Sequence, residues 1–305
     1  MAVVVCSRDR AALLERALRS LDEARARVDQ PVDIVAIDNG SSDATPSLLA
    51  RWARAATGHA HMRVTNSGKS GALNAYLRRS TADLVAFTDD DVVVDGDWLN
   101  ATLRFFRRQP EADAGAGPIR IPPETTAEVV KKRIRLYRTL PYWEIPPDAP
   151  LQQLLGANMM LRRRVFETVG YFDERLGPGA SGNCEETDLA NRIKDAGLRL
   201  GYIPDAVVYH VVDESRLTLD ALCEQERVTA RGKFIMRGGR DSLLRLGLKL
   251  GEVGAIWLWA RLVGNEIRAT HNRGRIAFNA ELFRLERARR SSLHSPTGET
   301  SHERR

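Results

Sequence analysis

The chain begins with an apolar run, Ala2 to Cys6, then a polar tetrad, Ser7-Arg8-Asp9-Arg10, then Leu13, Leu14, Ala17, Leu18 and Leu21 at helical spacing with charges between them. The run predicts a buried strand and the spacing an amphipathic helix packed on it. The alternation continues. Asp33 to Ile37 predicts a second strand, ending in the polar turn Asp38-Asn39-Gly40-Ser41-Ser42-Asp43, with a helix from near Ala44 that Asp43 can cap. Arg63 to Asn66 predicts a short third strand, followed by a glycine-containing turn into a helix over Ser67 to Asn74. A fourth apolar run ends in Phe87-Thr88-Asp89-Asp90-Asp91, before Val92-Val93-Val94. Strands alternating with helices imply an α/β fold with a mostly parallel sheet flanked by helices.

The second half is less regular. Pro118 to Pro150 holds a basic helix with Lys131, Lys132, Arg133 and Arg135, and Tyr142-Trp143 beyond it stack on a sugar or pack internally. Glu185, Glu186 and Asp188 open a helix that buries Leu189 and Ile193, runs to about Ala196 and stops at Gly197. Arg199 to Ile203 and Ala206 to His210, separated by Pro204-Asp205, suit a hairpin or two edge strands. After Leu217 the pattern turns helical. Its longest charge-free stretch, Val253 to Ala260, is far short of the roughly 20 residues that cross a bilayer. Leucines and tryptophans beside Arg245, Lys249 and Arg261 leave two readings: a basic amphipathic surface for a membrane, or packing on the chain or a second subunit. From Arg289 onward the Ser-, Arg- and Glu-rich composition predicts a disordered tail over 289–305.

Composition changes the picture little. The chain has 305 residues, 43% of them hydrophobic, enough for a sizeable core. A net charge of +6 favours anionic partners but is spread too thinly to indicate nucleic acid. Three distant cysteines argue against a disulfide framework or a zinc site, and no secretion signal opens the sequence, so a cytoplasmic protein is expected, with peripheral contact at the inner face of the membrane the alternative.

The candidate chemistry sits at the predicted strand ends. Alternation along a strand turns Asp89 and Asp91 the same way, with Asp90 opposed, and two such carboxylates suit Mg²⁺ or Mn²⁺ with a diphosphate; a solvated acidic turn is the plainer reading. Asp38 stands where open α/β sheets bind ligands, or stabilises its own turn. Gly68-Lys69-Ser70 invites a phosphate-loop reading, but that motif needs glycine where Arg63 stands. Lys69 and the backbone of its turn remain able to meet phosphate. His210, after an apolar run, is a packed residue or a ligand.

Taken in order, these pieces resemble glycosyltransferase family 2 of bacterial type, with the GT-A fold. The resemblance is carried by Val3 to Arg8, Asp38 to Thr45, Gly71 to Asn74 and Phe87 to Leu99. It continues through Gly156 to Arg163, Gly170 to Gly177 and Glu185 to Arg192, and covers roughly residues 2–235. It implies a metal-dependent inverting transfer of a sugar from a nucleotide-diphosphate sugar to a hydroxyl of a carbohydrate, lipid-linked or small-molecule acceptor. It further implies a general base at Glu186, where many relatives carry aspartate, and metal ligation by Asp89, Asp91 and His210. The expected substrate-binding residues are Cys6, Ser7, Arg8, Asp38, Lys69, Asn74, Asp89, Asp90, Glu185 and Asp188. Expected units are a catalytic domain over 1–216, with a nucleotide-binding half to about 95 and an acceptor half from about 96, and a helical extension over 217–288. A sugar-phosphate nucleotidyltransferase is a rival, although its glycine-rich loop is missing after Cys6; a catalytically silent carbohydrate-binding or scaffold protein of the same fold is another.

Overall fold

The computed structural model of the chain describes residues 1–65, 68–140, 142–147 and 149–294. The first stretch runs β1 (Ala2–Ser7), α1 (Ala11–Arg25), β2 (Asp33–Asp38), α2 (Thr45–Ala55), β3 (His59–Arg63), α3 (Lys69–Leu77) and β4 (Leu84–Asp89). Val3, Val4 and Val5 are all fully buried, as in a strand covered on both faces. Val3 and Val5 join Leu14, Leu18 and Leu21 in one core cluster, while Val4 joins Leu73, Phe87 and Phe172 in the other. The period of two thus divides β1 between two layers.

The chain continues through β5 (Val92–Val94), α4 (Trp98–Arg108), β6 (Ala114–Ala116), β7 (Ile119–Arg120), α5 (Glu128–Tyr137), β8 (Met159–Arg162), α6 (Arg163–Val169), α7 (Glu185–Asp195), β9 (Leu200–Tyr202) and β10 (Val208–His210). Seven strands form the main sheet in the order β3-β2-β1-β4-β8-β6-β9, and β5-β10-β7 form a small second sheet. β1 to β4 are parallel, and β8 runs antiparallel to both β4 and β6.

Two strand expectations need correction. The third strand lies over His59–Arg63 instead of 63–66, because pairing with β2 sets it at Ile34↔His59 through Asp38↔Arg63, and its exposed edge position leaves no apolar run to see; Asn66 is outside the described residues. No hairpin forms either, and the reading of two edge strands holds for β9 alone. β9 pairs with β6 at the edge of the main sheet, whereas β10 lies in the middle of the small one, between β5 and β7.

Asn158 explains how the two sheets are joined. Its buried side chain accepts from Trp98 Nε1 at 2.9 Å and donates to the carbonyls of Pro118 and Ala206 at 3.0 and 2.7 Å, linking α4, the approach to β7 and the approach to β10. Gly117 lies against the same junction, where an added Cβ would overlap the Ala206 carbonyl.

The chain ends in α8 (Leu219–Met236), α9 (Leu243–Leu262) and α10 (Glu266–His294), which share a small core around Ala230, Leu246 and Leu282. Thr218 and Ser242 cap α8 and α9 by accepting from Ala221 and Arg245 N–H. The expected tail begins too early. Fully buried Glu286 bonds Arg289 and Arg290 one turn on, and helix persists to His294; the remainder of that tail, 295–305, lies outside the described residues. Among the described residues no helix is long and apolar enough to cross a membrane.

Candidate active site at the carboxyl edge of the sheet

The chain passes from β1 to β2 and β3 on one side and returns to β4 on the other, so a crevice opens beside β1 where open sheets hold ligands. Register places Ser7 beside Asp38 and Cys6 beside Asp89. A cavity of about 520 Å³ lies here, lined by Cys6 to Arg8, Arg10, Asn39, Lys69, Asp89 to Asp91 and His210, with Thr139, Pro178, Gly179, Arg216 and Gln225.

The loop after β1 is pinned to the turn after β2. Asp9, at φ 54°, accepts from Ser42 N–H at 2.7 Å and donates its own N–H to Ser41 Oγ. Hydrogen bonds from Ser42 hold the Asp9 carboxyl below its usual range. Asp43 accepts from both Thr45 and Ala11 N–H, joining the starts of α2 and α1. Asp38 is buried: Oδ1 accepts from Ser41 N–H at 2.8 Å, and Oδ2 has no hydrogen-bond donor, the Arg63 guanidinium standing at 3.5 Å. One oxygen therefore holds the turn and the other faces Arg63, and Asp38 itself is not among the residues lining the cavity. Burial pushes the Cys6 thiol up to about 12, which makes it an inert wall residue.

In the acidic turn the expected alternation fails, because β4 ends at Asp89. Asp90 and Asp91 are not opposed: Arg10 Nη1 lies 3.0 Å from Asp90 Oδ1 and from Asp91 Oδ2. Asp90 also accepts from Ser7 Oγ at 2.6 Å, and burial raises its pKa. Asp89 turns instead to Lys69, whose Nζ is 2.5 Å from Oδ1. Burial opposes the charge on both partners, but Lys69 lowers the Asp89 pKa on balance, and Asp89, Glu186 and Glu185 hold Lys69 well above the usual lysine range.

Lys69 thus connects the crevice to the first turn of α7. Glu185 is 2% exposed, with Oε2 lacking a donor. Burial, followed by the charge of Glu186, pushes its carboxyl up to about 8. A proton on Glu185, given to Glu186, supplies the missing hydrogen bond. Gly156 faces the pair: an added Cβ would overlap Glu186 Oε1 and approach Lys69 Nζ to 3.2 Å.

A cation site fits Asp91 and His210. His210 Nδ1 is 2.8 Å from the Val211 carbonyl, which only accepts, so Nδ1 carries a proton, and Nε2 stands 3.3 Å from Asp91 Oδ1. With Nε2 unprotonated, that nitrogen and the Asp91 carboxylate would suit a divalent ion, which would keep further positions for water and diphosphate oxygens. The expected three-residue set is not assembled. Among the described residues no three His, Cys, Asp or Glu side chains gather closely enough to hold a metal, since Lys69 draws Asp89 away.

Two expected substrate contacts are occupied elsewhere. Asn74 donates to the Phe172 carbonyl and Glu174, and accepts from Phe172 N–H, so its amide holds the 172–174 loop. Asp188 binds Arg192, which donates to the Val169 and Tyr171 carbonyls. Trp143 packs edge-on against Tyr202, while Tyr142 lies edge-on to His210 with its hydroxyl buried and unpartnered. Arg10, Thr139, Arg216 and Gln225 join the site without having been singled out; only Arg10, two residues past Arg8 in a polar loop, carried a local signal.

The chain matches the family model described as Glycosyl transferase family 2 over residues 2–170, more than half its length. It is 32% identical over 165 residues to the succinoglycan biosynthesis protein ExoM of Rhizobium meliloti (strain 1021), covering 54% of this chain and 52% of that one. The chain therefore spans about half the length of this relative. An N-acetylglucosaminyl-diphospho-decaprenol L-rhamnosyltransferase of Mycobacterium tuberculosis is 28% identical over 231 residues, 65% of this chain and 71% of its own. The fold is shared with the mannosyltransferase PcManGT from Pyrobaculum calidifontis, solved with GDP-Man and Mn²⁺, at a TM-score of 0.57 and 19% identity, covering 98% of this chain and 76% of that one. The parallel strands, the crevice beside β1 and the helices behind it form a GT-A fold, and the chain belongs to glycosyltransferase family 2.

Proposed function

We propose that the chain is a metal-dependent, inverting glycosyltransferase that moves a sugar from a nucleotide-diphosphate sugar to an acceptor hydroxyl. The observation that carries this is Lys69, which bonds Asp89 in the donor crevice and is flanked by the Glu185–Glu186 pair, so that one half-buried cation joins a diphosphate site to a base. Asp38 Oδ2 takes an N–H of the nucleotide base, and the Cys6–Arg8 loop lines the same end. Arg10, Lys69 and Arg216 face the diphosphate. Asp91 and His210 would hold Mg²⁺ or Mn²⁺, which when bound would offset charge on the departing diphosphate. Glu185 keeps its proton, and Glu186 accepts the proton of the attacking hydroxyl. A base on the acceptor side suits a single in-line displacement, hence inversion.

The domain division follows the chemistry: 1–95 as the donor half, 96–216 as the acceptor half and 217–288 as an extension whose Gln225 completes the cavity wall. A reaction in the cytoplasm, or at the inner face of the membrane, suits three free cysteines and a nucleotide-sugar donor.

Donor hydrolysis and transfer over a panel of nucleotide sugars test the proposal. Turnover is expected to vanish in excess chelator and return with Mn²⁺, and Asp91→Ala should lose the metal dependence of donor binding. Full turnover in chelator would remove the metal from the proposal; failure to bind or cleave any nucleotide sugar would remove the transferase.

A further inference from the structure

A second cavity, about 790 Å³, lies between α8 and α10 beside the end of α5. Arg138, Arg268 and Arg275 line it, and Glu226 is the carboxylate among the lining residues. Five other arginines of α8 and α10 are matched to carboxylates: Arg227 to Glu224, Arg231 and Arg284 to Glu281, Arg289 and Arg290 to Glu286. Arg138, Arg268 and Arg275 have no ion pair among the described residues. Arg268 lies over the exposed ring of Trp259 at 5.0 Å, and Arg275 donates to Asn272. Arg138 adopts a left-handed backbone, φ 53°, that a side chain other than glycine rarely takes. His271 adds a buried Nε2 with no partner in the same wall. Three guanidinium groups without an ion pair, of which Arg275 opposes the rise that burial gives the Glu226 pKa, leave an excess of positive charge around one cavity and call for an anionic ligand.

Its position fits an acceptor. Gln225 lines both this cavity and the donor crevice, and Thr139 of the crevice follows Arg138 directly. On another side, Thr229 accepts from Asn183 Nδ2 at 2.9 Å, and Asn183 and Cys184 lead straight into Glu185 and Glu186. The corner of α9 and α10 next to Arg268 is apolar and open: Trp259, Leu262, Val263 and Ile267 are each more than half exposed. Phosphate alone has no use for that surface, whereas a phosphate attached to a hydrocarbon chain uses both.

Resting on the transferase proposal above, we infer that this cleft holds the phosphate-bearing head of a lipid-linked acceptor, with Arg138, Arg268 and Arg275 on the phosphate and the Trp259–Ile267 corner against the first part of the chain. The acceptor sugar then points along Gln225 toward the donor.

The test uses the full-length protein, phosphatidylcholine vesicles with and without polyprenyl diphosphate, and inorganic pyrophosphate as a soluble competitor. Vesicles carrying polyprenyl diphosphate are expected to recover the protein on flotation and plain vesicles to leave it behind. The Arg138→Gln, Arg268→Gln, Arg275→Gln triple variant should bind the lipid at least tenfold more weakly while keeping its melting temperature and its affinity for nucleotide sugar. Equal recovery on both vesicles, or equal binding by the triple variant, overturns the lipid site. Pyrophosphate binding that the triple variant loses, without any preference for the lipid, overturns it in favour of a soluble phosphorylated acceptor. Nucleotide-sugar binding is measured separately, so its absence is read against the transferase proposal alone.

Discussion

At the start of α7 two neighbouring carboxyls meet different surroundings: Glu185 is buried and holds its proton to about 8, whereas Glu186 sits between Lys69 and the open face of Gly156. Glu186→Gln keeps the size of the side chain and removes the base, so transfer should fall by roughly 10²-fold or more with donor affinity unchanged. Glu185→Gln imitates the protonated acid already present and should be much milder; steady-state kinetics with chemistry rate-limiting checks both, and the reverse order would move the base to Glu185. The same residue sets a pH dependence. Between its ordinary 4.5 and about 8, Glu185 is ionised in the unfolded chain and protonated in the fold, so the native state binds more protons and stability falls as pH rises through this window. Melting temperatures of Glu185→Gln should decline less over that window than those of the wild type, and parallel declines would refute the assignment. The acids were legible in sequence as a first-turn cluster and a strand-end triplet. What each one binds was not, since Lys69–Asp89, Arg10–Asp91 and Ser7–Asp90 join residues 20, 81 and 83 positions apart.

Strands buried on both faces announced themselves by continuous apolar runs, and β1, β2 and β4 lie where those runs predict. β3 did not, because the edge of a sheet tolerates His59, Ala60 and His61 in place of such a run. β10 showed its length and not its partner: an apolar triplet reads the same in either sheet, and the choice is made by Asn158 drawing Ala206 and Pro118 together. Asn158→Ala strips hydrogen bonds from the Trp98 indole and two buried carbonyls, at about 1–3 kcal/mol for each group left unsatisfied. A loss of about 3 kcal/mol is expected in denaturant unfolding, together with weaker metal binding as β10 and His210 lose their support; a loss below about 1 kcal/mol would show that water replaces the amide.

On the scale of the whole chain, the sequence showed a helical extension rich in arginine and leucine but not which arginines lack a partner, because pairing depends on how α8 and α10 are turned toward each other. Folded, that extension supplies Gln225 to the walls of two cavities at once. A single side chain shared in this way would make the two proposed ligands thermodynamically dependent on each other: nucleotide in the crevice would fix the amide that the lipid head meets, and the lipid would fix it for the nucleotide. The two effects must be equal, since reciprocity holds for any pair of linked binding equilibria. Titrating polyprenyl diphosphate vesicles with and without nucleoside diphosphate, and the reverse, should give one factor measured twice, and Gln225→Ala should bring that factor to one. An enzyme built this way would register each ligand at the site of the other, through a neutral residue that takes no part in the chemistry.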